Sequence, residues 1–407
     1  MYRILYMTLP LLALMFASIA NAHAPGIGNF TPQGPYPVNT SYSSCSVYQQ
    51  YIYCVGGFNG QMYQNGTYFA SISSSGIGNW TGTRPYPLNA SGIDCNINGG
   101  YIYCVGGNGI DFPLNYVGFA KLGSSGISGW TGTTPYPLLV YGRSCVVYGG
   151  YIYCVGGTDH TGKRYANTYY AQILASGIGN WQQTSSYPLE VSGESCNIDN
   201  NYIYCIGGWA GDKPVTASYY AQLSPQGIST WTATTPYPLN ITGQSCSISN
   251  DSNIYCTGGY NTVPNESQIT YFNNSYYAPI GTSGIGPWNR TTQYPYPSAG
   301  ASCNIYDEHL FCIGGDYYGL STPIVAVAPL SGAKPITTAS TTILQVSTSI
   351  STLNTTSTIA NSTAVTKQHA GTGYALYAAV IIVIVIIVAA YLYMRRNAPR
   401  KKPSAKQ

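Results

Sequence analysis

The chain has 407 residues, of which 7% are charged and 14% aromatic, and it contains 47 Gly, 25 Pro and 41 Tyr. This frequency of turn-forming residues excludes an all-helical fold. The formal net charge of +4 hides an acidic body, because residues 25–332 hold all 12 carboxylates against seven Lys and Arg side chains, a net charge of −5. No basic patch lies on this body, so the sequence excludes a nucleic-acid partner.

The first 22 residues predict a signal peptide. Arg3 precedes an apolar run at 4–20, and Ala-Asn-Ala at 20–22 has the small-x-small pattern that signal peptidase cleaves. We therefore expect the mature chain to begin at His23 and to fold in an oxidising compartment.

Residues 26–332 contain six repeats with a period of about 50 residues. Each repeat has a strand that ends in a glycine pair, and in five of them a variable loop, an aromatic-Ala strand and Gly-Ile-x-x-Trp follow. The pairs begin at Gly56, Gly106, Gly156, Gly207, Gly258 and Gly314, and the tryptophans are Trp80, Trp130, Trp181, Trp231 and Trp288. The sixth repeat lacks a Trp, but Gly26-Ile27-x-x-Phe30 near the start of the mature chain has the same pattern. The N-terminal segment is therefore predicted to supply the outer strand of the last repeat and to remove the open sheet edges.

The repeats resemble kelch repeats, which form β-propellers. The first repeat matches the kelch pattern at Tyr53, Gly56, Gly57, Tyr68 and Trp80, and repeats two to five match it with aromatic substitutions. The resemblance covers about three quarters of the chain and implies an all-β, six-bladed kelch-like propeller at 23–332 that is closed by the N-terminal strand. The charged residues usual between the kelch Tyr and Trp are absent, so the resemblance implies a fold but no partner or activity.

All 12 cysteines fall into six pairs, one in each repeat, and they are not part of the kelch pattern. The pairs are Cys45 and Cys54, Cys95 and Cys104, Cys145 and Cys154, Cys196 and Cys205, Cys246 and Cys256, and Cys303 and Cys312. A two-residue hairpin turn places the members of a pair opposite each other, where side chains approach closely, while the fifth pair has one extra residue and needs a longer turn. In an oxidising compartment this spacing predicts intra-repeat disulfides, because C-x8-C without His is not a zinc spacing.

The loops after the glycine pairs vary from repeat to repeat, and we expect them to share one face with the connections that run through Tyr-Pro into the next repeat. Variable loops on a repeated scaffold indicate recognition, and relaxed surface drift is the alternative. Two residues before the first Cys of each repeat stand Ser43, Ile93, Arg143, Glu194, Gln244 and Ala301, which we expect to surround the channel mouth. There Arg143 and Glu194 either hold a sugar or carboxylate ligand or pair with each other, and pairing is favoured. The predicted ligand-binding residues are Arg143, Glu194, Gln244, Asp111, Asp159, His160, Arg164, Trp209, Asp212 and Tyr317.

The residues do not indicate an enzyme. His160 and His309 are the only histidines at 25–332, and His309 follows a turn, so we expect it on a solvated rim and predict neither a metal nor a cofactor. The four arginines of this region do not form the cluster of a sialidase, and no G-x-S-x-G nucleophile motif occurs.

Twelve Asn-x-Ser/Thr sequons suggest glycosylation of an exported protein. The candidates are Asn39, Asn65, Asn89, Asn265, Asn354 and Asn361. The scarcity of carboxylates suggests that the protein works in an acidic medium outside the cell, because few groups lose stabilising interactions as the pH falls.

The C-terminal part predicts a membrane anchor. Residues 333–373 form a Ser/Thr/Asn-rich stalk, and the 21 apolar residues at 374–394 are long enough for a transmembrane helix. Arg395 and Arg396 follow at once, so the positive-inside rule places the basic tail at 395–407 in the cytoplasm and the propeller outside.

These features predict a single-pass cell-membrane protein that acts as a binding or adhesion module, not as an enzyme. We expect it to recognise a surface protein or glycan through the loops after the glycine pairs. A structural component of the cell envelope is the alternative, and an extracytoplasmic carbohydrate-active enzyme is less favoured.

Overall fold

The computed structural model describes residues 25–110, 112–262 and 268–330, and these residues contain β-strands and no helix. The predicted all-β class is confirmed. No helix in the described ranges is long and apolar enough to cross a membrane. The predicted signal peptide at 1–22, stalk at 333–373, transmembrane helix at 374–394 and tail at 395–407 lie outside the described residues.

The strands follow the six repeats, here called units 1 to 6. Strand β1 (Thr31–Pro32) precedes unit 1. Unit 1 contains β2 (Ser44–Tyr48), β3 (Tyr51–Val55), β4 (Thr67–Ser73), β5 (Gly76–Ile77) and β6 (Thr81–Gly82). Unit 2 contains β7 (Asp94–Asn98), β8 (Tyr101–Asn108), β9 (Pro113–Gly123), β10 (Gly126–Ile127) and β11 (Thr131–Gly132). Unit 3 contains β12 (Ser144–Tyr148), β13 (Tyr151–Val155), β14 (Thr168–Leu174), β15 (Gly177–Ile178) and β16 (Gln182–Gln183).

The later units add short strands in their variable loops. Unit 4 contains β17 (Val191–Ser192), β18 (Ser195–Asp199), β19 (Tyr202–Ile206), β20 (Trp209–Ala210), β21 (Lys213–Pro214), β22 (Ser218–Ser224), β23 (Gly227–Ile228) and β24 (Thr232–Ala233). Unit 5 contains β25 (Ser245–Ile248), β26 (Asn253–Thr257), β27 (Tyr260–Thr262), β28 (Ile269–Tyr271), β29 (Ser275–Gly281), β30 (Gly284–Ile285) and β31 (Asn289–Arg290). Unit 6 contains β32 (Ser302–Tyr306), β33 (His309–Ile313), β34 (Asp316–Tyr317), β35 (Leu320–Ser321) and β36 (Val325–Pro329).

Each unit forms one main antiparallel sheet, with the order β2-β3-β4-β5 in unit 1, where β6 also pairs with β4. The first two strands join through tight turns with positive φ, as at Gly149 (59°) and Gly150 (80°), which match the right-handed twist of a hairpin. In unit 6 the sheet order is β1-β36-β33-β32, so the N-terminal strand pairs with the last strand, with Thr31 opposite Val327.

Adjacent units are joined through their first strands. In every unit the backbone N–H of the first Cys donates to the side chain of the residue just before the first Cys of the preceding unit. Cys95 donates to Ser44 Oγ at 2.9 Å and Cys145 to Asp94 Oδ2 at 2.8 Å. The same contact links Cys196 to Ser144, Cys246 to Ser195 and Cys303 to Ser245. Unit 1 makes it with unit 6, because Cys45 N–H donates to Ser302 Oγ at 3.0 Å.

A pair of aromatic rings recurs in the core of every unit. The Tyr of each Tyr-Pro connection is buried and packs edge-on against the Trp of its unit, as Tyr36 does against Trp80 with ring centroids 4.9 Å apart. The equivalent pairs are Tyr86 with Trp130, Tyr136 with Trp181, Tyr187 with Trp231, and Tyr237 with Trp288. In unit 6 the partner of Tyr294 is Phe30, at 5.2 Å, so the N-terminal segment supplies the ring that the unit's own sequence lacks.

All six predicted disulfides are formed, and their Cα atoms lie 4.0 Å apart. In unit 5 the turn takes up the extra residue, since Ser249 N–H donates to Asn253 O and Ser252 has a φ of 55°. Each disulfide closes a loop of about ten residues, and the loop-entropy model assigns such a cross-link about 2.5 to 3 kcal/mol.

Candidate functional site

Five of the six residues two positions before the first Cys are buried, which corrects their expected place at an open channel mouth, while Ala301 is half-buried. Ser43, Ile93, Arg143, Glu194 and Gln244 are all at most 7% exposed. The side chains of four of them, Ile93, Arg143, Glu194 and Gln244, lie against the first glycine of the pair in the preceding unit. Burial at this junction keeps them from solvent.

Arg143 and Gln244 share one contact at this junction. The Arg143 guanidinium donates to Val105 O and Val140 O and lies 5.1 Å from the centre of the Tyr136 ring. Gln244 Nε2 donates to Ile206 O at 2.7 Å. Val105 and Ile206 are the residues just before the glycine pairs of units 2 and 4, so a side-chain donor satisfies the same carbonyl in both places.

Glu194 occupies the equivalent position between units 3 and 4 but brings an acid instead of a donor. Its Oε1 lies 2.9 Å from the point where a Cβ on Gly156 would be. Gln244 Nε2 lies 2.8 Å from the corresponding point at Gly207, so the two side chains occupy equivalent places. Neither carboxylate oxygen of Glu194 has a side-chain partner, so the favoured ion pair with Arg143 is not formed, and the backbone N–H groups of Glu194 and Ser144 are its hydrogen-bonding neighbours. Burial is the main cause that raises the pKa of Glu194 to about 8, and the Asp94 charge adds to this while Arg143 opposes it. Glu194 is therefore mostly protonated at neutral pH.

A second set of residues gathers on the loops and carries more of the predicted site. The residue directly after each glycine pair forms a backbone bridge with a residue at the end of the Tyr-Pro connection, three positions before Ser44 or its equivalent. Phe58 is bridged to Ser41 in this way, and Tyr260 to Thr242. The loops after the glycine pairs and the Tyr-Pro connections therefore lie against each other. We call these two sets of segments the loop surface.

The aromatic cluster lies on the loop surface of units 4 to 6 and consists of Trp209, Tyr260, Tyr271, Tyr317 and Tyr318. Successive ring centroids are 6.4 Å apart for Trp209 and Tyr260, 5.8 Å for Tyr260 and Tyr271, 5.2 Å for Tyr271 and Tyr318, and 4.8 Å for Tyr318 and Tyr317. Tyr318 is 59% exposed and Tyr317 40%. The other three rings are half-buried.

Two charged groups flank the aromatic cluster. The Arg164 guanidinium lies 5.0 Å above the centre of the Trp209 ring and donates to Ser192 Oγ at 3.2 Å and to Gly211 O at 3.0 Å. Asp316 Oδ1 accepts the Gly319 N–H at 2.6 Å. Burial, and after it the charge of Asp316 and a hydrogen bond to it, raise the pKa of Tyr271 to about 12.

The structure thus brings together three of the predicted residues, Arg164, Trp209 and Tyr317, through three tyrosines that the sequence analysis missed. The position directly after the glycine pair was the available signal, since Trp209 and Tyr260 both occupy it.

Asp159 and His160 contact residues outside the aromatic cluster. Asp159 stabilises its own loop, because its Oδ1 accepts from Thr161 and Lys163 and its Oδ2 from the Tyr165 hydroxyl. The bond from the Thr161 hydroxyl is the largest cause that lowers the pKa of Asp159 to about 2. His160 packs edge-on against Phe112 at 5.6 Å. Asp212 is exposed, and Asp111 lies outside the described residues.

His309 is buried, with 1% of its surface exposed, so its expected place on a solvated rim is wrong. It begins strand β33, where it lies opposite Tyr306 and Pro329, and its Nδ1 is 2.6 Å from Asp307 O. The tight turn at Asp307 and Glu308 ends directly before His309, so His309 already lies within the sheet.

Tyr42 has a φ of 54°, a backbone conformation that residues other than glycine rarely adopt. The other five units have a glycine with positive φ at this position, namely Gly92, Gly142, Gly193, Gly243 and Gly300. The Tyr42 N–H donates to Gly300 O, and its ring packs over Gly300. Burial raises the pKa of Tyr42, and the neighbouring Tyr260, Asp316 and Tyr271 raise it as well.

Three glycosylation candidates, Asn39, Asn65 and Asn89, are exposed and lie on the loop surface. Asn265, Asn354 and Asn361 lie outside the described residues.

No family model and no curated protein matches the chain. Among solved structures, the chain is similar to the structure of YjhT, with 14% sequence identity and a TM-score of 0.60. The similarity covers 72% of this chain and 95% of that chain. At this level of identity the likeness concerns the fold alone.

Proposed function

We propose that this chain is a cell-surface binding or adhesion module whose six units form a kelch-like, six-bladed β-propeller. Three observations support a propeller closed by its N-terminal strand. Strand β1 pairs with β36, Cys45 N–H donates to Ser302 Oγ, and Phe30 packs against Tyr294. Each of them joins the start of the described chain to its last unit.

The loop surface is the proposed recognition face. The observation that carries this proposal concerns the ten exposed large hydrophobic side chains in the described part of the chain. Nine of them lie on the loop surface, and Leu174 lies elsewhere. The nine are Met62, Ile110, Phe112, Leu139, Ile269, Tyr296, Tyr317, Tyr318 and Leu320. Exposed apolar side chains concentrated on one face mark an interaction site, whereas apolar residues scattered singly need no explanation.

The proposed place of the module is the outer side of a cell membrane, and its support comes from the sequence. The signal peptide at 1–22 exports the chain, and the apolar segment at 374–394 anchors it with the basic tail inside. Its partner is a surface protein or a glycan, and no cofactor, nucleic acid or catalytic step enters the proposal.

A pull-down from an extract of the producing cell's surface tests the proposed function. The full-length chain with intact disulfides is the bait, and bound proteins and glycans are identified by mass spectrometry. The double variant Ile110→Ser/Phe112→Ser removes two exposed apolar groups from the loop surface, and Leu174→Ser is the matched control away from it. We expect a specific partner that the double variant loses and the control keeps.

Recovery of copies of the same chain alone would favour a structural component of the cell envelope. Equal capture by the double variant and the control would refute recognition through the loop surface. Turnover of an extract component would favour the enzyme alternative.

A further inference from the structure

We propose that the aromatic cluster with its flanking Arg164 and Asp316 is a saccharide site, in which a pyranose ring stacks on Trp209 and Tyr260. This inference rests on the proposed binding function and names the ligand class and the place.

The first argument is the uneven distribution of aromatic rings among equivalent positions. Directly after the glycine pair, units 1, 4 and 5 carry Phe58, Trp209 and Tyr260, whereas units 2 and 3 carry Asn108 and Thr158. The fold does not require an aromatic ring at this position, since the backbone pairing is the same with Ser91 opposite Asn108 as with Thr242 opposite Tyr260. The backbone pairing therefore does not explain the aromatic rings of units 4 and 5.

The second argument is the strain at Tyr42. Five units use glycine at its position, because a left-handed conformation is strained for a residue with a Cβ. Strained residues persist where the surrounding structure holds them, and they cluster at functional sites. Tyr42 is held by the bond from its N–H to Gly300 O and by its ring, which packs over Gly300, and the neighbouring Asp316 charge raises its pKa.

The third argument is that the two charged groups have spare hydrogen-bonding capacity. Arg164 uses its Nε and Nη1 on Ser192 and Gly211, which leaves its Nη2 for a ligand. Within the described part of the chain neither Arg164 nor Asp316 pairs with an opposite charge. Both charges act on Tyr260, whose pKa is raised first by burial and is then lowered by Arg164 and raised by Asp316.

These properties select the ligand class. A purely apolar ligand would cover Arg164 and Asp316 without replacing their water, which is costly. A phosphate or other strong anion would lie against the Asp316 carboxylate on a body with a net charge of −5. A neutral saccharide meets both conditions, because the C–H face of a pyranose packs on aromatic rings while its hydroxyls donate to a carboxylate and accept from a guanidinium.

Saturation-transfer-difference NMR on the full-length chain tests the proposal. The probes are the methyl pyranosides of glucose, mannose, galactose and N-acetylglucosamine, and the chain is kept in a polyoxyethylene detergent because a glycoside detergent would itself compete. We expect at least one probe to bind with a Kd of about 1 mM or tighter. Trp209→Ala should weaken it at least about tenfold, since aromatic stacking and its buried area are lost.

The matched control is Asn108→Ala, at the equivalent position of unit 2, which should leave Kd unchanged. Arg164→Gln should also raise Kd, and it keeps the test decisive if Trp209→Ala lowers the melting temperature sharply. No transfer to any of the four probes, or a Kd that both site variants leave as it is, would overturn the saccharide site.

The two proposals fail in different ways. If the pull-down captures a specific protein but none of the four probes gives saturation transfer, the saccharide site is refuted and the binding function stands. If a probe binds through Trp209 but the extract yields no partner, the saccharide site stands and adhesion to another molecule is refuted.

Discussion

Glu194 provides the sharpest test of the structure, because it places an acid where an equivalent unit places an amide. We expect Glu194→Gln to stabilise the chain at neutral pH and to leave it unchanged in acid. The Gln244 side chain shows that an amide fits this position, since its Nε2 donates to Ile206 O at 2.7 Å. A Gln at 194 fits the same place beside Val155 as the protonated acid, and it stays neutral at every pH, so it has no proton to lose as the pH rises.

The magnitude follows from the pKa of Glu194, which burial raises from 4.5 to about 8. The folded state holds this proton more tightly than the unfolded chain, so the contribution is complete below pH 4.5 and is lost as the pH rises toward 8. At about 1.4 kcal/mol for each pH unit in this window, the loss between pH 4 and pH 7 is about 3 kcal/mol. Burial also raises the pKa of Asp94 to about 6, which acts in the same direction. Both acids therefore make the folded chain more stable at low pH, in agreement with the acidic medium that the scarcity of carboxylates suggests.

Thermal unfolding followed by tryptophan fluorescence at pH 4 and pH 7 measures the effect. At pH 7 the variant should melt at least about 6 °C above the wild type, and at pH 4 the two should coincide. The reciprocal variant Gln244→Glu is the matched control and should introduce a new loss of stability with rising pH. If the change in melting temperature between pH 4 and pH 7 were the same in both variants as in the wild type, a buried neutral acid at 194 would be refuted.

Three further predictions concern the scaffold. Replacing Cys145 and Cys154 together with Ala should lower the free energy of unfolding by about 2.5 to 3 kcal/mol in denaturant titrations, and no loss would contradict a stabilising cross-link. Tyr237→Phe should be neutral or slightly stabilising in the same assay, because the Tyr237 hydroxyl is buried without a hydrogen-bond partner; a loss above about 1 kcal/mol would indicate a bond that the structure lacks. Gly193→Ala should cost clearly more than Gly149→Ala, since both have positive φ but only at Gly193 would a Cβ strike Thr242 Oγ1. Equal melting temperatures for these two variants would count against the close approach at Gly193.

Local pattern was sufficient for the parts of the fold that one repeat determines. The cysteine pairs follow from hairpins of two strands joined by a short turn, and such hairpins pair opposite residues whatever surrounds them. Six glycine pairs in phase identified the units. Phe30, in the same pattern as the five tryptophans, identified the N-terminal segment as the partner of unit 6.

The sequence by itself thus determined which positions are equivalent, and the tertiary structure decided which way each position faces. Arg143 and Glu194 were expected at an open mouth but are buried, because neighbouring units pack their first strands against each other there. Trp209, Tyr271 and Tyr318 come from three different units, and only the packing of these units brings their rings within contact distance. A repeat period carries no information about these distances, since they depend on the angle between units rather than on spacing along the chain.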